Sequence, residues 1–299
     1  PSLLTEAIKL GCILSVFSKE QFSQIEKVSK KIKIKQEVHI ACDSLLGREG
    51  FLENDFGDFL AYAKKSPSVV VTGMYSHFAN IEDTNNFTHA QKQIDAYARM
   101  RNIAIKSGFE NLQTHISATS GLLTYEKETG INSIVRVGIG MYGLWPSEYL
   151  KFEYRKNLVR LNGGKFELKP VLSWKTHIAQ TKVLEAGRTV GYGLTFMTTK
   201  RTHIALIPQG YADGFTRSLS NHGEVLIGGK ICKVIGRVSM NMFVVDMHAS
   251  KKSKEGDEVV IIGTQGKASI SAEKFGELSG TINYEATTRI SPLLPRIVQ

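Results

Sequence analysis

At 299 residues, 42% hydrophobic and 22% charged, the chain has the composition of an ordinary globular protein, long enough for one large domain or two smaller ones. No apolar run is long enough to cross a bilayer and no signal-peptide pattern is present, so a cytoplasmic protein with no membrane partner is expected. The net charge of +10 raises the question of nucleic acid. Much of it sits in two runs without interleaved aromatics, Lys27–Lys35 and Lys251–Lys254, which read as solvated faces, so no nucleic-acid partner is expected. Cys12, Cys42 and Cys232 form no C-x-x-C pair, which argues against a disulfide framework and a zinc site; no metal is expected.

Along the first half, apolar and β-branched runs alternate with helical patterns. Strands are expected at Cys12–Phe17, Glu37–Cys42, Ser68–His77, Leu112–Ser117 and Ser133–Ile139. Between them, Phe22, Ile25 and Val28 share one helical face, and Phe51, Phe56, Phe59, Leu60 and Ala63 another. Phe87–Lys106 is the longest helical segment, with Ile94, Ala98 and Ile105 on a stripe. This alternation implies parallel strands with crossover helices, hence an α/β barrel or a doubly wound sheet. Five strand–helix units fall in about 150 residues, whereas a closed barrel has eight and about 250. A barrel reading therefore leaves three units unaccounted for.

The second half changes character from about Leu168. Short strands are expected at Val171–Ala179, Thr202–Ile207, Gly223–Ile227, Lys230–Ile235, Met242–Asp246 and Glu258–Ile262, with a helix near Ser271–Leu278. Residues 1–160 thus read as an α/β domain and 168–299 as a mostly β domain. The boundary lies in Ser147–Lys169, around Asn162-Gly163-Gly164.

Several constellations could carry chemistry. Gly138-x-Gly140-x-x-Gly143 follows a predicted strand, formally a dinucleotide fingerprint, but Leu144-Trp145-Pro146 follows instead of a helix and no ribose-binding carboxylate stands at the usual distance. A backbone cradle for a single phosphate and a plain glycine turn both fit. Arg136, two residues earlier, is an unusual charge in an apolar run and needs a partner. His77 and His115 fall at predicted strand ends, where barrel active sites form; each could equally be a satisfied structural histidine. Thr119 and Ser120 could offer hydroxyls to a phosphate. Arg48, after a strand, could clamp a carboxylate or simply be a surface residue. Tyr211 sits in Gln209-Gly210-Tyr211-Ala212-Asp213-Gly214, either an Asp-Gly turn or a loop holding a proton donor.

Taken together, IPQGYADGFTR (Ile207–Arg217), VRVGIGMYGLWPS (Val135–Ser147), GMYSHFANIED (Gly73–Asp83), VGYG (Val190–Gly193) and IGRVSMNMF (Ile235–Phe243) resemble alanine racemase in order and spacing. The resemblance implies a (β/α)8-type barrel missing its first units, then a mostly β C-terminal domain, in a homodimer whose active sites are shared between chains. It implies pyridoxal 5'-phosphate as cofactor and interconversion of L- and D-alanine by two-base proton exchange, supplying D-alanine for peptidoglycan. Tyr211 would exchange the α-proton on one face, with His77 between it and Arg136, and His115 close by. Arg136 would donate to the pyridine nitrogen; an arginine there leaves that nitrogen unprotonated, which weakens the electron sink and favours return of the proton over transamination. Thr119, Gly138 and Ile139 match phosphate-binding positions, His77 lies beside the cofactor, and Arg48 and the N–H of Met240 match contacts to the substrate carboxylate.

The departures are specific. No segment resembles the motif of the cofactor lysine, which is the second base, so these residues alone are expected to be inactive and to lack an N-terminal part. Ala41 stands where many members have lysine, Asn241 where many have aspartate, and Pro292 where a phosphate-binding tyrosine is found. Two other readings are a degenerate racemase-like protein that binds the cofactor or a partner without catalysis, and a nicotinamide oxidoreductase using the Gly138 pattern. The joint presence of Tyr211, His77, His115, Arg136 and Arg48 argues against the first, and the context of the glycines against the second.

Overall fold

The computed structural model describes residues 2–82, 84–125, 133–162 and 166–298; Asp83, Gly163 and Gly164 of the motifs above lie outside them. The chain groups into two compact units, one of residues 1–141 and 145–167, the other of residues 142–144 and 168–299.

In the first unit, helix α1 (Ser2–Lys9) precedes strand β1 (Leu14–Val16), and then α2 (Lys19–Ile32), β2 (Gln36–Ala41), α3 (Glu53–Ala63), β3 (Val69–Tyr75), α4 (Thr88–Lys106) and β4 (Gln113–His115) alternate. The four strands are parallel and lie in sequence order, β1-β2-β3-β4. A doubly wound sheet would reverse direction from its first strand, whereas successive neighbours without reversal are what consecutive units of an α/β barrel give. Helix α2 starts where the Ser18 hydroxyl accepts from the Gln21 amide at 3.1 Å and stops where Lys33 turns left-handed at φ 58°. It buries Phe22, Ile25 and Ser29, while Val28 is only half-buried. Its aromatic face meets Phe59 of α3 edge-on, with centroids 5.6 Å apart. The core joins these rings to Val16, Val38, Ile40 and Met74 of the sheet and Tyr97 and Met100 of α4.

Two expectations are corrected here. The stripe of α4 is Ala90, Gln93, Ile94, Tyr97, Met100 and Ala104, with Ala98 half-buried and Ile105 exposed. The expected fifth strand, Ser133–Ile139, does not form: it makes a single bridge, Ala118 to Arg136, and passes into a 3-10 turn at Ile139–Tyr142. Its neighbour β4 ends at His115 and the chain enters helix α5 (Thr119–Tyr125) four residues later, so it has little extended partner to pair with. Helix α6 (Glu148–Asn162) then occupies much of what reads in the sequence as a charged boundary.

The second unit is mainly antiparallel. Its strands are β5 (Trp174–His177), β6 (Gln180–Leu184), β7 (Thr189–Val190), β8 (Phe196–Met197), β9 (Thr202–Ile207), β10 (Glu224–Ile227), β11 (Lys230–Ile235), β12 (Phe243–Asp246), β13 (Glu258–Gln265) and β14 (Ala268–Ile270), followed by helices α7 (Ala272–Ser279) and α8 (Asn283–Thr288). The main sheet runs β14-β13-β10-β11-β12-β9-β6, with β5 also on β13, and β7 pairs β8 separately. Gly228 and Gly229, at φ 56° and 71°, turn the β10–β11 hairpin in the left-handed region that two-residue hairpin loops need. Phe215 stacks on Phe243 at 4.0 Å between centroids, and Trp174 and Phe275 close around it.

No helix among the described residues is long and apolar enough to cross a membrane.

Candidate active site

In the first unit the candidate residues gather at and just beyond the C-terminal ends of β2, β3 and β4. The loop after β2 leaves the sheet at Cys42 and returns at Phe51, which bridges it. Within the loop, the Asp43 carboxylate accepts from the Leu46 and Gly47 amides at 2.8 and 3.0 Å, an Asx-type turn that presents Arg48. Gly50 closes the loop at φ 127°, where a Cβ would stand 2.6 Å from the Asp43 nitrogen. Arg48 is exposed and binds its neighbour Glu49 through two bonds of 2.5 and 2.9 Å. Its fork therefore already holds a carboxylate.

Arg136 is the hub. Its Nη2 donates to the Ser76 carbonyl at 2.7 Å and meets His77 Nδ1 at 3.2 Å; its Nη1 donates to the His115 carbonyl at 3.1 Å and makes a short bond to His115 Nδ1. Its Nε–H has no acceptor among the described residues. The Tyr75 ring lies 5.5 Å beneath the guanidinium and stacks on His115 at 5.2 Å, nearly parallel. The arrangement answers the question that a charge in an apolar run poses: the guanidinium is paired with carbonyls and imidazole nitrogens, not with a carboxylate.

The electrostatics follow. His115 is buried, and burial, then Arg136, then His39 press its pKa down to about 3. Burial lowers His77 as well, followed by Arg136 and Arg48, with Glu49 opposing. Both imidazoles are neutral at pH 7, so Arg136 is the cation of this cluster.

Beside the cluster, the Thr119 hydroxyl accepts from the amides of Gly138 and Gly140 at 3.1 and 3.2 Å. The three glycines of the pattern have different reasons. A Cβ at Gly138 would meet nothing within 4 Å; at Gly140 it would strike the Thr119 methyl at 2.8 Å; Gly143 is left-handed and lies against the Lys169 carbonyl. A 3-10 turn, not an α-helix, follows Gly138, which removes the dinucleotide reading. Ile139 is buried in that turn. Ser120, unlike Thr119, turns away: its hydroxyl donates to Glu82 at 2.6 Å.

In the second unit, the Gln209–Gly214 loop is pinned by its own backbone. Tyr211 and Ala212 donate to the carbonyls of Ser239 and Met240 at 3.1 and 3.0 Å, and the Asp213 carboxylate accepts from the Gly210 amide at 2.9 Å. A Cβ at Gly210 would lie 2.2 Å from the Met240 carbonyl, so only glycine allows this approach. Tyr211 and Met240 are both about half exposed (45% and 54%) and line one cavity of about 390 Å³ with Tyr192, Arg217 and Arg237. The loop is a tight turn and a tyrosine platform at once.

In the first unit, residues missed in the sequence surround the Arg136 cluster. Gln93, fully buried on α4, donates to the Ser44 and His77 carbonyls at 2.9 and 3.0 Å and accepts from the Ala79 amide at 2.8 Å. Tyr97 Oη donates to the Met74 carbonyl at 2.7 Å and accepts from the His115 amide at 3.2 Å. A glutamine on an otherwise apolar helical stripe was the available signal.

Two family models match the chain, "Alanine racemase, N-terminal domain" over residues 1–146 and "Alanine racemase, C-terminal domain" over residues 171–298. The alanine racemase of Clostridium tetani is 33% identical over 99% of this chain and 73% of its own length, and that of Methanococcus maripaludis 34% identical over 95% and 72%. Among solved structures, alanine racemase from Streptomyces lavendulae superposes with a TM-score of 0.88 at 30% identity, covering 98% of this chain and 74% of that one. The Bacillus anthracis enzyme with bound L-Ala-P superposes with 0.85 at 32%, covering 96% and 70%. The parallel α/β unit of barrel type and the antiparallel β unit are the two domains of that fold, and the chain belongs to the alanine racemase family, the pyridoxal-phosphate-dependent amino-acid racemases.

Proposed function

We propose that these residues belong to an enzyme that interconverts the enantiomers of alanine with pyridoxal 5'-phosphate. The observation that carries the reading is the Arg136 hub: a cation whose other donors are all spent on protein acceptors, keeping its Nε–H for a ligand. A solved relative, from Bartonella henselae, holds pyridoxal phosphate covalently. The donor set here suits that group. Arg136 Nε–H would meet the ring nitrogen, and the Thr119 hydroxyl with the backbone N–H of Ile139 and, once released from Thr119, of Gly138, where a Cβ would meet open space, would receive the phosphate.

When bound, the cofactor acidifies the α-C–H of an attached amino acid. The remaining work falls to the chain. Arg136 cannot give up its proton, so it holds a hydrogen bond at the ring nitrogen without protonating it. His77, neutral beside Arg136, would orient Tyr211. Tyr211 Oη would remove or return the α-proton on one face, contributed by the partner in a head-to-tail homodimer. Arg48, released from Glu49, and the Met240 N–H would hold the substrate carboxylate. A cytoplasmic location and supply of D-alanine to peptidoglycan are part of the same reading.

The cofactor lysine of the family has no counterpart in the motifs of residues 1–299, so the test uses the whole gene product. In deuterium oxide with added pyridoxal phosphate, it is expected to exchange the α-hydrogen of both alanine enantiomers; exchange of neither would overturn the proposal. Residues 1–299 alone are expected to exchange neither. Tyr211→Phe should slow exchange on one face by roughly 100-fold or more relative to the other. Equal losses on both faces would remove Tyr211 from its assigned role.

A further inference from the structure

His39 lies in the middle of β2, is buried, and belongs to none of the motifs discussed so far. Its Nδ1 stands 2.9 Å from His115 Nε2, the rings 5.1 Å apart. Its Nε2 is buried and makes no hydrogen bond of ordinary geometry, the Gln113 side chain being the polar group beside the ring.

The protons along this row are determined from one end. Arg136 only donates, so His115 Nδ1 must accept from it. A neutral His115 then carries its proton on Nε2, which faces His39 Nδ1. His39 Nδ1 must accept in turn, which leaves the His39 proton on Nε2, on the side away from His115. Any other assignment sets two donors or two lone pairs face to face.

The backbone is built to hold this ring. Pairing between β2 and β3 skips one residue, from Val38–Val71 to His39–Gly73, leaving Thr72 bulged. The bulge brings Gly73 under His39, where a Cβ would lie 2.5 to 2.7 Å from three ring atoms. The groups that face the His115–His39 pair are Arg136, Tyr75 and Tyr97 around His115, and Glu37 of β2 and Gln113 of β4 around His39.

We infer that His39 is a positioning residue: its Nδ1 lone pair accepts the Nε2–H that Arg136 imposes on His115, and so holds the His115 ring where its Nδ1 keeps the guanidinium turned with its Nε–H free. The value of that orientation to the reaction rests on the proposed function; the proton assignment does not.

The test is nitrogen NMR of the whole gene product labelled with ¹⁵N-histidine, which separates protonated from unprotonated ring nitrogens. His115 is expected as the pure Nε2–H form between pH 5 and 8. In His39→Phe the His115 Nε2–H loses its acceptor, and with it the downfield, hydrogen-bonded shift of that proton. His39→Asn, whose Oδ1 can take the place of Nδ1, restores it. Gly73→Ala, which displaces the ring, behaves as His39→Phe. In alanine exchange, His39→Phe lowers kcat with KM little changed. His115 protonated on Nδ1 in the unaltered protein, or an Nε2–H shift unchanged in His39→Phe, would overturn the inference. Should His39→Phe not fold, the spectrum of the unaltered protein decides alone. Loss of racemase activity with the Nε2–H form intact would count against the proposed function and leave this assignment standing.

Discussion

Arg136 and His115 couple a half-buried charge to a buried neutral base, and the coupling has a measurable cost in acid. His115 titrates near 6.5 when unfolded and near 3 in the folded protein. Between those values the unfolded chain binds a proton that the folded chain excludes. Stability from the neutral imidazole is therefore complete above about pH 6.5 and is lost as pH falls from there towards 3. One such group gives a slope of up to about 1.4 kcal/mol per pH unit. His39 and His77 are also lowered, chiefly by burial, and add in the same direction. The urea midpoint is expected to fall between pH 7 and 4, and His115→Gln to flatten that fall by about one proton. An unchanged slope would mean that His115 takes up its proton in the folded state too.

At the scale of elements, helix α4 does more than cover the sheet. Gln93 ties the loops after β2 and β3 to one side chain through Ser44, His77 and Ala79. Gln93→Leu fits the apolar stripe by size but leaves two carbonyls and one amide without partners. An unmade buried hydrogen bond costs about 1 to 3 kcal/mol, and partial access of water to the His77 end reduces the total. A loss of about 2 to 3 kcal/mol is expected in urea unfolding, with the m-value unchanged. A loss below about 0.5 kcal/mol would show that the loops hold themselves. The same helix shows where sequence reading stops. Periodicity identified α4 and its length, because its apolar spacing is local information. It misplaced the stripe onto Ala98 and Ile105, since the decisive members, Gln93 and Tyr97, are polar and buried only because of partners far away in the chain. Ser133–Ile139 failed for a related reason: its composition is that of a strand, but pairing depends on how far the neighbouring β4 extends. His77, His115, Arg136 and Thr119 were legible because strand ends and glycine turns are local signals. His39 was not, because a histidine inside a strand looks like any other core polar residue until His115 and Gly73 are placed against it.

On the scale of the whole molecule, the sheet of the first unit is open. Among the described residues β1 and β4 each pair on one side only. Large apolar side chains lie exposed beside β1: Leu10, Ile13 and Phe17, at 74%, 50% and 47%. Unpaired strand edges flanked by apolar surface template pairing with another chain. Gln21 blunts the edge only partly, bonding the Ser15 carbonyl and the Phe17 amide. The net charge of +10 opposes association, but its reach is about 8 Å at physiological salt, so added salt removes the opposition. The protein is therefore expected to associate beyond the proposed homodimer, more strongly at 0.5 M than at 0.05 M salt, in sedimentation velocity. Ile13→Lys with Phe17→Lys sets two charges at the edge without touching the buried Val16, and should remove most of the species larger than the proposed homodimer. If the double variant associates as the unaltered chain does, the contact is not made through β1. Pairing through the β4 edge, or docking through the second unit's surface around Tyr192 and Met240, would then be the surfaces to examine, and only the latter would be abolished by charge placed at Met240.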